Sequence, residues 1–236
     1  MRFVEFCDLI QPQTLAFQWR ARDFLALAMA LRQSGYAGHI TAGGHFATFA
    51  AREILSDFPE LDSICRQESE ETLVSLVRAV ERGTPLKSIS GMALRNERGQ
   101  VFLTAQPSLP DLARVPWPDR SGEPAMCFGR AIAPRVGSRG CYANCTFCCI
   151  AAWHEETQPG KRYRLGDVGD IADEMVFMQR QRGIDIFVFH DDNFFRNQEI
   201  ETVMAHDASV APNKPMNPAP LSRFPRFARR GLSASR

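Results

Sequence analysis

Cys141, Cys145 and Cys148 stand in the order C-x3-C-x2-C, with Phe147 directly before the last of them. The local text is Ser138-Arg139-Gly140-Cys141-Tyr142-Ala143-Asn144-Cys145-Thr146-Phe147-Cys148. Three thiolates on one short loop can hold three irons of a cubic four-iron cluster and leave the fourth iron without a protein ligand. A closed structural site uses all its positions, whereas an open position is where chemistry can occur. Gly140 permits a close backbone turn just before the first ligand. Zinc is the competing reading, with Cys149 or His154 as a nominal fourth ligand. Against it, Cys149 adjoins Cys148, and neighbouring side chains on an extended backbone point apart. Cys149 is expected to be a packed thiol, as are Cys7, Cys65 and Cys127.

The elements that must hold this loop can be read on either side of it. Residues 131–136 form an apolar stretch that predicts a short strand, which places the cysteines at a strand's C-terminal end. Active sites of parallel α/β proteins lie at that end. Asp167 predicts the cap of a helix running to about Arg182, with Ile171, Met175 and Met178 on its inner stripe and Gly183 closing it. Residues 184–190 predict a strand buried on both faces, completing one β-α-β unit with the cysteine loop between its first strand and helix. Asp191-Asp192-Asn193-Phe194 follows directly, so its side chains emerge at the same end as the cysteines. Those residues suit a solvated turn, but two consecutive carboxylates after a buried strand point more to a site at the mouth of the sheet.

With its C-x3-C-x-aromatic-C text, the chain resembles the radical S-adenosylmethionine (SAM) superfamily. The resemblance implies that Cys141, Cys145 and Cys148 bind a 4Fe–4S cluster, and that the amino and carboxylate groups of SAM chelate the open iron. Reductive cleavage of SAM would then give a 5′-deoxyadenosyl radical that abstracts hydrogen from a substrate. It also implies an adenine neighbour at Phe147 and a reductant such as flavodoxin or ferredoxin. Asp191-Asp192-Asn193-Phe194 is similar to text found here in cobalamin-type members, where many other members carry Gly-Gly-Glu to contact SAM. A SAM contact by Asp191, Asp192 or Asn193 is the expectation that follows.

The first half supports the same resemblance. Residues 16–34 predict a helix ended by Gly35, 39–42 a strand running into Gly43-Gly44, and 46–57 a second helix stopped near Pro59. Residues 61–66 predict another strand. Ser69 predicts a cap for a third helix, with Leu73, Val74, Leu76, Val77 and Val80 as its buried stripe and Gly83 at its end. Helices separating short strands predict a parallel doubly wound sheet. Residues 91–104 predict a hairpin turning at Asn96-Glu97-Arg98-Gly99.

The text from Gly38 to Thr48 is similar to the late strand and glycine turn of a cobalamin-binding Rossmann-like domain. There the paired glycines admit the cofactor's nucleotide tail, a role the resemblance offers to Gly43 and Gly44; a tight strand-to-helix turn explains them equally well. The family's Asp-x-His-x-x-Gly cobalt-ligating motif does not occur in the sequence. Residues 66–70 also lack the family's glycine at their second position, where Gln67 stands. These departures speak against cobalamin binding.

The implied fold class is α/β: a partial Rossmann-like cobalamin-type domain followed by the first β-α-β part of a radical SAM (β/α) barrel. The expected organisation is 1–105 for the Rossmann-like domain with its hairpin, 106–129 for a Pro-rich linker, 130–207 for the start of the radical SAM core, and 208–236 for a basic tail. The relatives' missing strands at both ends make a truncated chain the expectation, with the substrate unread.

Composition narrows the alternatives. The chain has 236 residues, 44% hydrophobic and 23% charged, as in an ordinary globular protein. No apolar run approaches the roughly 18 residues a membrane span requires. Seven cysteines, three of them in a metal-type arrangement, fit a reduced cytoplasm. The net charge is +1, yet residues 208–236 hold six Lys/Arg and no Asp/Glu. That stretch is rich in proline and reads as disordered, with nucleic-acid binding as the rival reading. A non-catalytic remnant that binds a metal or iron–sulfur cluster is the alternative to a radical SAM enzyme.

Overall fold

The computed structural model describes residues 17–157 and 162–193, with side chains from residue 21 onward and none at 157. Cys7, Phe194 and the basic tail lie outside the described residues. In chain order the elements of the first half are α1 (Phe17–Gln33), β1 (Thr41–Ala42), α2 (Gly44–Phe49), α3 (Ala51–Asp57), β2 (Ser63–Cys65), α4 (Glu70–Arg82), β3 (Met92–Arg95) and β4 (Val101–Leu103). They are followed by β5 (Ala125–Cys127), β6 (Arg130–Arg135), β7 (Ser138–Gly140), α5 (Ile150–Thr157), β8 (Tyr163–Leu165), α6 (Val168–Arg182) and β9 (Ile186–Phe189). The described residues group into two compact units. One draws on residues 17–112, 136–157, 162–165 and 189–193, the other on 113–135 and 166–188.

The first unit is built on a four-stranded sheet in the order β1-β2-β3-β4. β1 and β2 run parallel, with Thr41 opposite Ser63, while β3 is antiparallel to β2 and β4 to β3. The sheet is therefore mixed, not the uniformly parallel one expected. The 91–104 hairpin turns the chain back beside β2 instead of crossing over through a helix. Asn96 Oδ1 accepts from the N–H groups of Arg98 and Gln100 at 3.0 and 2.9 Å, which fixes that turn. Ile40, Leu55, Leu61, Ile64 and Ala93 are sealed beneath α1 to α3, and Leu76 of α4 joins Cys65 and Met92 in a second cluster.

Two helix expectations change in detail. The 46–57 helix is two segments bent at Ala50, whose φ is −101° and ψ 25°. Hydrogen bonding continues through the bend, from Ala50 N to Phe46 O and from Ile54 N to Ala50 O. The bend lets Ala47 of α2 and Ala51, Ile54 and Leu55 of α3 all reach the same core. Ser69 precedes α4 but makes no side-chain cap; at φ −110° and ψ 18° its backbone is not in the extended geometry that aims a cap hydroxyl at the helix. On α4 the buried positions are Thr72, Leu76 and Ala79, with Val74 exposed.

The second unit carries a three-stranded sheet in the order β5-β6-β9, with α6 between β6 and β9 in sequence. This is the expected β-α-β unit. Asp167 caps α6 by accepting from Asp170 N at 2.8 Å, and Gly183 ends it with φ 63°. Ala131 and Ala133 of β6 meet Met178 and Ile184 in the core. Glu174 of α6 is also buried, and pairs with Arg135 at 2.8 Å and Arg120 at 3.2 Å. Met175, expected on the inner stripe, is only half-buried. β9 is not buried on both faces, since Val188 is exposed. No helix among the described residues is long and apolar enough to cross a membrane.

Candidate functional site

The cysteine loop lies between two elements that sequence reading passed over. β7 leads into Cys141 and pairs antiparallel with β8, Gly140 opposite Tyr163. α5 begins just after Cys149, whose carbonyl accepts the Trp153 N–H at 2.9 Å. Gly140 has φ +87°, a left-handed value that favours glycine. A Cβ there would run into the Arg162 carbonyl, so the strand pair closes on this position only as glycine. Within the loop, Cys148 N donates to Cys145 O at 3.1 Å, and Arg162 Nη2 donates to Ala143 O at 2.6 Å.

All three cysteines are free thiols; Cys145 and Cys148 are exposed and Cys141 is half-buried. The Cys141 sulfur accepts the Ala143 N–H and the Asn193 amide, each at 3.4 Å. Among the described residues no three His, Cys, Asp or Glu side chains converge where one metal ion would sit. A cubane asks for something different, because each thiolate takes its own iron. Three unbridged sulfurs on one short loop, two facing solvent, fit that donor set. Phe147 is 91% exposed, a large ring turned away from any core. Cys149 is exposed, not packed as expected, because the start of α5 turns inward only from Ile150 on. Cys65 is buried as expected, and Cys127 half-buried.

Asp191, Asp192 and Asn193 are brought to the same loop. Asp191 accepts from Gly137 N at 2.8 Å and from the Ser138 hydroxyl at 2.6 Å, and Asp192 accepts from Gly140 N at 3.0 Å. Asn193 Oδ1 is buried and has no hydrogen-bond partner among the described residues.

Behind β7 stands a charged hub with no sequence signal, since its members are scattered along the chain. Glu68 is nearly buried and pairs with Arg139 of β7 at 2.5 Å and with Arg164 of β8. Arg139 also reaches Glu70 at 2.6 Å. Burial alone would lower the Arg139 pKa, but Glu70 and Glu68 together outweigh it and hold the guanidinium above its ordinary value. His154 of α5 is 3% exposed in this cationic corner. Burial first, then Arg164, His45 and Arg139, push its pKa down to about 4, so it is neutral near pH 7. Its ring neighbour in chain order, Trp153, stacks on His45 of α2 with centroids 4.0 Å apart.

Gly43 and Gly44 sit at the turn from β1 into α2. A Cβ on Gly43 would lie 3.3 Å from the Cys65 carbonyl of β2, and Gly44 has φ 90°. The close approach to the neighbouring strand at Gly43 and the left-handed backbone at Gly44 thus favour glycine at this turn without any cofactor. Gln67 has φ 61°, the left-handed conformation that a glycine would adopt freely. It is held there by the Thr48 hydroxyl, which accepts its N–H at 2.9 Å, and by Glu156, which accepts from its side chain at 3.2 Å.

No protein-family model matches the chain. It is 28% identical over 179 residues to the anaerobic magnesium-protoporphyrin IX monomethyl ester cyclase of Synechocystis sp., covering 72% of this chain and 35% of that protein. It is 29% identical over 168 residues to an uncharacterised methyltransferase of Pyrococcus horikoshii, covering 68% and 34%. Among solved structures it is similar to OxsB, a cobalamin-dependent S-adenosylmethionine radical enzyme with aqua-cobalamin and S-adenosylmethionine bound. The TM-score is 0.53 at 22% identity, over 77% of this chain and 24% of OxsB. It is likewise similar to the radical S-adenosylmethionine methyltransferase TsrM of Kitasatospora setae, solved with cobalamin and a 4Fe–4S cluster bound. There the TM-score is 0.55 at 20% identity, over 77% of this chain and 35% of TsrM. The chain spans about a third of the length of the curated relatives it matches. The chain is thus similar in sequence, over most of its length, to a magnesium-protoporphyrin IX monomethyl ester cyclase and to a methyltransferase, and it shares its fold over three quarters of its length with OxsB and TsrM.

Proposed function

We propose that the chain binds a 4Fe–4S cluster through Cys141, Cys145 and Cys148 and uses its open iron to cleave SAM reductively. The observation that supports this most is the donor set: three free thiols at C-x3-C-x2-C spacing on one loop, beyond a glycine whose position tolerates no side chain. When bound, such a cluster supplies the electron that breaks the sulfonium bond and yields the 5′-deoxyadenosyl radical. The chain's own residues would do the rest. β7 and β8 hold the first cysteine through Gly140, and the Glu68 hub braces that strand pair. Phe147, exposed beside Cys148, offers a ring face to the adenine. Asn193 Oδ1 is an acceptor suited to the amino group of SAM, with Asp191 and Asp192 setting its place. The organic substrate, a reductant of the flavodoxin or ferredoxin kind, and a reduced compartment such as the cytoplasm belong to the same proposal.

Cobalamin is left out of it. Gly43 and Gly44 suit the strand-to-helix turn on their own, Gln67 stands where the resemblance expects a glycine, and no Asp-x-His-x-x-Gly occurs in the sequence. The test is anaerobic incubation of the iron-loaded chain with SAM and a strong reductant. The proposal expects 5′-deoxyadenosine by chromatography. Iron uptake with no deoxyadenosine would instead mark a non-catalytic cluster-binding module, and zinc uptake without iron would remove the cluster as well.

A further inference from the structure

Three consecutive side chains grip the entry to the cysteine loop, each one step further along it. Asp191 takes the Gly137 N–H and the Ser138 hydroxyl, Asp192 takes the Gly140 N–H, and Asn193 donates to the Cys141 sulfur at 3.4 Å. The two carboxylates bind mostly backbone, so they fix where the third side chain stands whatever the neighbouring side chains do. Amide N–H groups aimed at cluster sulfurs favour the more negatively charged, reduced state, and such bonds are one of the levers on an iron–sulfur potential. The other N–H on this sulfur, from Ala143, is backbone and is the same in every side-chain variant. Asn193 is thus the adjustable donor.

We infer that Asn193 is a positioning residue for Cys141 that raises the reduction potential of the cluster through its N–H···S bond, with Asp191 and Asp192 as the clamp that holds it there. This rests on the cluster reading above. The test compares the full chain with Asn193→Leu, Asn193→Ala and Asn193→Gln after anaerobic reconstitution, by iron counting and an EPR-monitored redox titration. Asn193→Leu and Asn193→Ala should keep about four irons, titrate at a more negative midpoint, and show shifted g-values in the reduced state. Asn193→Gln, which keeps an amide donor, should return toward the wild-type midpoint. Full iron with an unchanged midpoint in both Leu and Ala variants would overturn this inference and leave the cluster reading standing. A wild-type chain that takes up no iron would overturn both. Should the Leu variant fail to fold by circular dichroism, the midpoint of the Ala variant decides.

Discussion

Gly140 shows how one missing side chain can shape a site. Its φ of +87° and the Arg162 carbonyl opposite leave no room for a Cβ, and the His154 ring edge lies 3.0 Å from where that Cβ would be. Gly140→Ala is therefore expected to lower stability by about 2 kcal/mol or more, measured by denaturant unfolding, and to reduce iron uptake as β7 shifts. An alanine chain of wild-type stability would show that the close approach is dispensable. The cysteines and this glycine were legible because they adjoin one another in the sequence. The Glu68 hub was not, since Arg139 and Arg164 lie 71 and 96 residues away from it and a lone carboxylate carries no pattern.

Helices with strong caps were read correctly: Asp167 and Gly183 bound α6, and Gly83 ends α4. What failed were short elements. α5 and β8 span eight and three residues, too few for a period to emerge. The β5–β6 turn was also hidden, because it uses Phe128 where a hairpin ordinarily has Asn, Asp or Gly. Cys127 pairs with Arg130, so the loop is Phe128-Gly129, with φ 49° and 75°. Phe128 is fully exposed and buries nothing in return for that conformation. Phe128→Asn is expected to stabilise the chain by about 1 kcal/mol, read as a higher urea midpoint. No gain would mean that the aromatic ring contributes something the turn geometry does not reveal.

The whole molecule follows the expected α/β order, with a mixed first sheet in place of a parallel one. The hairpin at 91–104 was visible in the sequence; that it would pair beside β2 was not, because register with a distant strand is decided by packing. Buried polar corners also set the response to pH. His154 has an ordinary value of 6.5 and is held at about 4 in the folded chain, facing Arg164, His45, Arg139 and Glu68. The unfolded chain takes up this proton first, so stability should be fully present above about pH 6.5 and fall as pH drops toward 4. The loss from this group, once pH has fallen below both values, is ~3 kcal/mol. Unfolding titrations at stepped pH check it, and His154→Phe should flatten the slope in that window.

The iron content and EPR spectrum of the reduced, anaerobically reconstituted chain, compared with Cys141→Ala, Cys145→Ala and Cys148→Ala, bear on the three-thiol loop with the fewest intervening steps. About four irons per chain in the wild type, and loss of both the iron and its signal in each variant, is the expected result. Iron and spectrum that persist unaltered in any one of the three variants would contradict it.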